Sequence, residues 1–380
     1  MKCIYCESGN LEQIDSFSNL RKISSDAKPW RTGFSIVLCK DCGFPQAGVS
    51  PEWKNSAAEI YSDYTSYFQT SDFDQTVFID GATSLRGDLF VDFVLRTSNT
   101  KSNGLVLDFG CGAGNLLRSY SKSRSDLELC GFDRDDRELQ NLLKIKNFKQ
   151  LIVGDLETNQ KFDLISMSHT LEHLTNPKQS LQQLRGLLND GGCLAIAVPD
   201  CSIDPFKLLI ADHCSHFSMK TLGVFLMNAG FEVVRIESTP KTRECWVICK
   251  PGKSEQKEVL SDMDTAWVAK SIEWINLIRL DANSSAKKGP FGILGTSINA
   301  LWLFGEMELD VDFFVDEDIS RQGKKLFGRP VISPSMIVPG STVYLPFIPE
   351  LATKIAARLT TENIFWVVPP NSDWFSPDSS

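Results

Sequence analysis

The chain has 380 residues, more than one ordinary hydrophobic core accommodates and suited to two compact domains with a small appendage. Hydrophobic residues at 42% and charged residues at 23% exclude the composition of a disordered chain. The 48 acidic against 39 basic side chains give a net charge of -9, which opposes a nucleic-acid partner, and no run approaches the ~20 apolar residues of a membrane span.

No basic segment followed by an apolar stretch opens the sequence, so a cytoplasmic location with reduced thiols is expected for the 11 cysteines. Four of them stand apart as two Cys-x-x-Cys turns, Cys3 with Cys6 and Cys39 with Cys42, the second followed by Gly43. Each turn offers two thiolates to one tetrahedral Zn²⁺, and the ion then replaces a core that ~50 residues could hardly build. Residues 1–50 are therefore expected to form a zinc ribbon or knuckle, with a strand in the apolar run 34–38. Four thiolates leave no open coordination position, so the expected zinc is structural.

Residues 51–96 read as helical and aromatic, and Tyr61, Tyr64 and Tyr67 are candidates to line a substrate pocket. Between residues 104 and 249, short apolar runs alternate with helical patterns, the rhythm of a parallel sheet wrapped by helices. Strands are expected at 105–109, 127–132, 150–153, 162–167, 192–198, 231–237 and 245–249. A polar stretch, 250–257, marks a linker. Beyond it come a helix over 259–280, a strand at 290–294, a helix over 296–304 and a strand at 311–315, which imply a second, smaller α/β unit. The divisions expected are 1–50, 51–250 and 251–380.

The first strand of the long alternation runs into Asp108-Phe109-Gly110-Cys111-Gly112-Ala113-Gly114. Glycine tolerates positive φ and has no Cβ, so such a turn admits a ligand close to the backbone. The next strand ends at Gly131-Phe132-Asp133, where doubly wound folds hold a ribose diol. Val153-Gly154-Asp155-Leu156 follows the third strand, and the fourth empties into Ser168-His169-Thr170-Leu171-Glu172-His173-Leu174.

In motif order and spacing, residues 104–250 resemble the class I S-adenosylmethionine-dependent methyltransferases. The resemblance implies a Rossmann-like core that binds S-adenosylmethionine. It implies Asp108, Gly110, Cys111, Gly112 and Gly114 around the methionine part of this cofactor, and Asp133 with Arg134 at the ribose. Asp155 with Leu156 would lie near the adenine, and Ser168 with His169 at the mouth of the fourth strand. Dinucleotide binding is disfavoured, because the third glycine comes one position early for Gly-x-Gly-x-x-Gly.

Together with the paired thiols and the segment from Phe314 to Lys324, the chain also resembles the zinc-containing sugar C-methyltransferases, whose C-terminal domain is a second Rossmann-like unit. That resemblance implies a nucleotide-linked sugar as substrate. The family's Tyr-x-Glu-His-x-x-Tyr-Phe-Ser segment matches residues 210–218, with Asp212 in place of glutamate and Ile210 and His216 in place of the tyrosines. His213 is then the expected base, Asp212 or another carboxylate the group that fixes its tautomer, and His216, Tyr64 or Tyr67 the donor that stabilises an enolate. Glu172-His173 reads as a structural helix-start pair. O-methylation of a sugar or other small metabolite is the alternative reaction, and a non-catalytic S-adenosylmethionine-binding scaffold the alternative role. An RNA methyltransferase is disfavoured by charge. Gly292-Ile293-Leu294-Gly295-Thr296-Ser297 and Asp316 read as a structural or substrate-facing turn, and Arg321 and Lys324 as a solvated charge cluster. A monomer or homodimer without a membrane partner is expected.

Overall fold

A computed structural model describes residues 1–62, 76–79, 82–239, 241–253, 257–360 and 363–372. The N-terminal segment forms a three-stranded antiparallel sheet, ordered Leu11–Gln13, Ile36–Cys39, Pro45–Ala47. Beside it lies a two-stranded ladder of Lys22–Ile23 with Pro29–Trp30. Helix α1, Pro51–Ser62, follows.

The stretch expected to be helical throughout is divided. A hairpin of Thr76–Ile79 with Ala82–Leu85 precedes α2, Arg86–Thr97. Thr76, Val77 and Ile79 are β-branched, and such residues favour extended backbone over helix.

The central layer is a seven-stranded sheet. Its strands in chain order are β1 (Leu105–Phe109), β2 (Glu128–Asp133), β3 (Phe148–Val153), β4 (Phe162–Ser168), β5 (Leu188–Pro199), β6 (Phe231–Thr239) and β7 (Glu244–Pro251). Their spatial order is β3-β2-β1-β4-β5-β7-β6, with only β7 antiparallel to its neighbours. All seven expected strands are present. The linker expected at 250–257 gives Lys250 and Pro251 to β7, because both pair with β6. Helices α3 (Asn115–Ser123), α4 (Leu139–Leu142), α5 (Pro177–Leu187) and α6 (Met219–Asn228) connect these strands. The central strands are buried on both faces, which explains their nearly continuous apolar runs.

Helix α7, Asp262–Ser285, starts three residues later than expected because Ser261 and Asp264 form a reciprocal capping box. It leads to a second sheet of β8 (Phe291–Leu294), β9 (Phe313–Val315), β10 (Lys325–Leu326), β11 (Arg329–Ile332), β12 (Thr342–Tyr344) and β13 (Phe365–Val367). The order is β10-β11-β9-β8-β12-β13, parallel except at β10. Helices α8 (Ile298–Met307) and α9 (Pro349–Leu359) pack with it.

The cores do not respect the boundaries of these units. Phe17, Leu20 and Ile23 share one apolar cluster with Phe206 and Leu209, with Trp267 and Trp274 of α7, and with Trp302 of α8. Phe44 belongs to the cluster beneath the seven-stranded sheet. No described helix is long and apolar enough to cross a membrane.

Candidate active site

The turn after β1 takes the left-handed backbone its glycines permit, with φ of +80° at Gly110, +46° at Gly112 and +86° at Gly114. A methyl group on Gly110 would lie 2.3 Å from Thr170 Oγ1, so the segment after β4 rests directly on this turn. A methyl group on Gly112 would meet nothing within 4 Å. The turn is therefore closed on one side by protein and open at its centre.

Asp133, at the tip of β2, is oriented by backbone donors: Gly112 N–H reaches Oδ2 at 2.8 Å and Arg134 N–H reaches Oδ1 at 2.7 Å. Each oxygen keeps a second lone pair for a diol. Asp108 is 3% exposed and accepts a 2.9 Å hydrogen bond from Ser166 Oγ. Burial raises its pKa to about 7, opposed by Ser166 and helped by the charge of Asp133. Cys111 is buried in the turn, Asp155 is exposed, and Leu156 is buried with its carbonyl accepting from Gln183. Ser168 ends β4, and its carbonyl accepts from Thr170 Oγ1. These residues thus gather at one end of the parallel strands, the edge where open α/β sheets bind ligands.

His169 has φ of +51° and lies between two buried carboxylates, Nδ1 3.3 Å from Glu172 and Nε2 hydrogen-bonded to Glu244. Glu244 also accepts from Trp246 Nε1 at 2.8 Å and faces Arg86 at 3.5 Å. Burial and the Arg86 charge push the His169 pKa down, yet Glu244 and Glu172 outweigh them and raise it.

A second cluster adjoins this one. Three oxygens surround His173 Nδ1: Tyr61 Oη at 2.9 Å, the Asp212 carbonyl at 3.1 Å and Asp212 Oδ2 at 3.3 Å. This surround favours the Nδ1–H tautomer and leaves Nε2 with the free lone pair. The Arg134 guanidinium stacks 4.9 Å from the Tyr61 ring, so Tyr61 bridges the ribose-side loop and the histidine. Burial opposes the charged forms of both His173 and Asp212, but their mutual interaction raises the first pKa and lowers the second. His213 is 4% exposed and meets His173 edge-on at 4.6 Å. Burial, followed by the positive fields of His173 and His216, drives its pKa well down. His216 is buried too, and burial lowers its pKa to about 3.

This geometry corrects one expectation. Asp212 does not orient His213; its carboxylate is committed to His173 and to Ser25, because the loop turns successive side chains in different directions. Tyr64 and Tyr67 lie outside the described residues. Tyr61, a candidate from the sequence to line a substrate pocket, contacts His173, while Ser25, Arg86 and Glu244 carry no sequence signal that points to this site. No local motif marks those three, each of which joins the cluster from a distant element.

The four thiols Cys3, Cys6, Cys39 and Cys42 bring their sulfurs within 4.8 Å of one another. Their separations of 3.6 Å for Cys3 to Cys42 and 3.5 Å for Cys6 to Cys39 approach the ~3.8 Å set by four Zn–S bonds of ~2.3 Å. The set fits zinc. In the second α/β unit, Asp316 is held by Thr296 Oγ1 at 2.7 Å, and Arg321 reaches the same Thr296 at 2.7 Å. Arg321 is thus half-buried beside Asp316 and Asp318, and Lys324 is exposed.

Residues 83–236 match the family described as a methyltransferase domain. The ubiquinone biosynthesis O-methyltransferase of Haemophilus ducreyi is 27% identical over 126 residues, covering 29% of this chain and 53% of the relative. The trans-aconitate 2-methyltransferase of Escherichia coli is 26% identical over 110 residues, covering 28% of this chain and 44% of the relative. The chain thus spans about half the length of the curated relatives it matches. A solved S-adenosylmethionine-dependent methyltransferase of Clostridium acetobutylicum aligns with 14% identity and a TM-score of 0.37, covering 52% of this chain and 99% of that one.

Proposed function

We propose that this chain, with its methyltransferase domain at 83–236, transfers a methyl group from S-adenosylmethionine to a small-molecule acceptor. The observation that carries the reading is the open glycine turn whose Gly112 N–H fixes Asp133. Asp108, Gly110, Cys111, Gly112 and Gly114 would hold the methionine end, Asp133 and Arg134 the ribose, and Asp155 and Leu156 the adenine. Ser168 and His169 would close the inner wall. When bound, the cofactor supplies an electrophilic methyl group on a cationic sulfur.

The protein's task is to align an acceptor and remove its proton. We assign that removal to His173 Nε2, with Asp212 fixing the tautomer and His213 packed edge-on beside it. The acceptor C–H or O–H bond would break with its proton going to Nε2, and the electron pair left behind would form the bond to the methyl carbon as the methyl–sulfur bond cleaves, that bond's electron pair staying on sulfur in the departing S-adenosylhomocysteine. The preferred acceptor is a carbon beside the keto group of a nucleotide-linked sugar. The resemblance of the paired thiols and of residues 210–218 and 314–324 to the zinc-containing sugar C-methyltransferases, together with four thiols that fit zinc, supports that choice.

Oxygen is the alternative acceptor, drawn from the O-methyltransferase among the relatives. Incubation with a panel of keto-sugar nucleotides, read out as S-adenosylhomocysteine release, tests the reaction. Carbon–proton couplings of the new methyl group then separate C- from O-methylation. Calorimetry showing no uptake of S-adenosylhomocysteine by the folded protein would overturn the proposal. Uptake without turnover on any acceptor would favour a cofactor-binding scaffold.

A further inference from the structure

The loop that carries Asp212 and His213 is held from outside its own domain. Ala211 N–H donates to the Ile23 carbonyl at 2.8 Å, and Ile23 forms a parallel bridge with Ile210. Two residues after Ile23, Ser25 grips the Asp212 carboxylate through both of its donors. Its N–H reaches Oδ1 at 2.9 Å and its Oγ reaches Oδ2 at 2.6 Å. The opposite side of the loop is pinned as well, with Ala47 N–H donating to Cys214 O at 3.0 Å and Gln46 bridging Ser215.

We propose that Ser25 is a positioning residue of the active site, through which the N-terminal module aims Asp212 at His173 and so sets which ring nitrogen can accept a proton. Oδ2 lies 2.6 Å from Ser25 Oγ and 3.3 Å from His173 Nδ1, so one oxygen connects the hydroxyl to the imidazole. An aspartate has two torsions of freedom, and a carboxylate held at both oxygens retains neither. Without the hydroxyl the carboxylate can rotate off Nδ1. His173 then keeps its burial and loses the partner that offsets it. The N-terminal module thereby becomes a contributor to the chemistry and not only an appended support.

This inference rests on the assignment of His173 as base, and its principal test needs no acceptor. Among the described residues, the groups facing His173 are Asp212, Glu172, His213 and Tyr61, with Arg134 behind Tyr61. The chain has four histidines, so ring resonances titrated by NMR are assigned with His173→Gln. In Ser25→Ala the His173 midpoint should fall, whereas Ser25→Thr, which keeps a hydroxyl, should restore it. S-adenosylhomocysteine affinity and metal content should stay unchanged in both. With an accepted substrate, Ser25→Ala should lower kcat by roughly tenfold, leave KM for the donor unchanged, and move the acid limb of the pH profile with the NMR midpoint. An unchanged His173 midpoint in folded Ser25→Ala overturns the proposal, even if no acceptor is ever found. A shifted midpoint with an unmoved rate profile would show that His173 is not the base and that Ser25 has no catalytic consequence.

Discussion

Among single residues, the buried carboxyls and imidazoles carry the strongest expectations about pH. Asp108 has a pKa raised to about 7 by burial, so near neutrality it is shared between its acid and ionised forms. A ligand ammonium beside it favours the ionised form, and binding then releases a proton. S-adenosylhomocysteine should bind more weakly at pH 6 than at pH 8 by calorimetry, and Asp108→Asn should flatten that dependence. The His173–Asp212 pair has its own window. Because the His173 pKa is raised, the stability it lends is complete below the unfolded value of ~6.5 and is lost as pH rises through the folded one. Because the Asp212 pKa is lowered, its contribution is present above ~3.9 and is lost as pH falls through the folded value. As the proposed base, His173 must be neutral, so kcat/KM should rise with pH through a midpoint above ~6.5. His173→Gln should cost on the order of 100-fold in kcat, and His213→Gln less. The reverse ranking would return the base role to His213, whose buried and poorly basic ring argues against it.

At the level of elements, the turn between β1 and α3 separates a folding requirement from a binding one. Gly110 and Gly112 both have positive φ, where an L-residue costs roughly 1–2 kcal/mol. They differ in what surrounds them. At Gly110 an added methyl would collide with Thr170, so Gly110→Ala should lower the melting temperature and cofactor affinity together. At Gly112 the space is open, so Gly112→Ala should be milder toward stability while still reducing S-adenosylhomocysteine affinity about tenfold or more. Thermal melts with and without that ligand would distinguish the two; equal affinity in Gly112→Ala and the parent would remove the turn from the binding site. The β1 turn was legible because strand, glycine spacing and following helix are contiguous. The hairpin before α2 was not, since an aromatic-rich stretch gives no clean period.

Across the whole molecule, the cysteine module and both α/β units share apolar cores, so none is an independent attachment. Its strand Pro45–Ala47 follows Cys42 closely and contacts the loop at 214–216, while Ser25 holds Asp212. If the four thiols hold zinc, its loss should therefore reach the histidine loop. In Cys6→Ser, amides at 210–217 should exchange hydrogen faster and turnover should fall, with donor affinity nearly retained. Unaltered exchange there would confine the module to a local role. The chain order alone determined the alternation of strands and helices, the glycine turn, the carboxylates at strand ends and the paired thiols, because each depends on neighbours a few positions apart and on periodicity. Only the tertiary structure decided that Asp212 serves His173, that His169 lies between Glu172 and Glu244, and that Ser25 enters the site. Those contacts join residues separated by up to 187 positions, through hydrogen bonds that leave no periodic mark and arise only when packed layers bring the loops together.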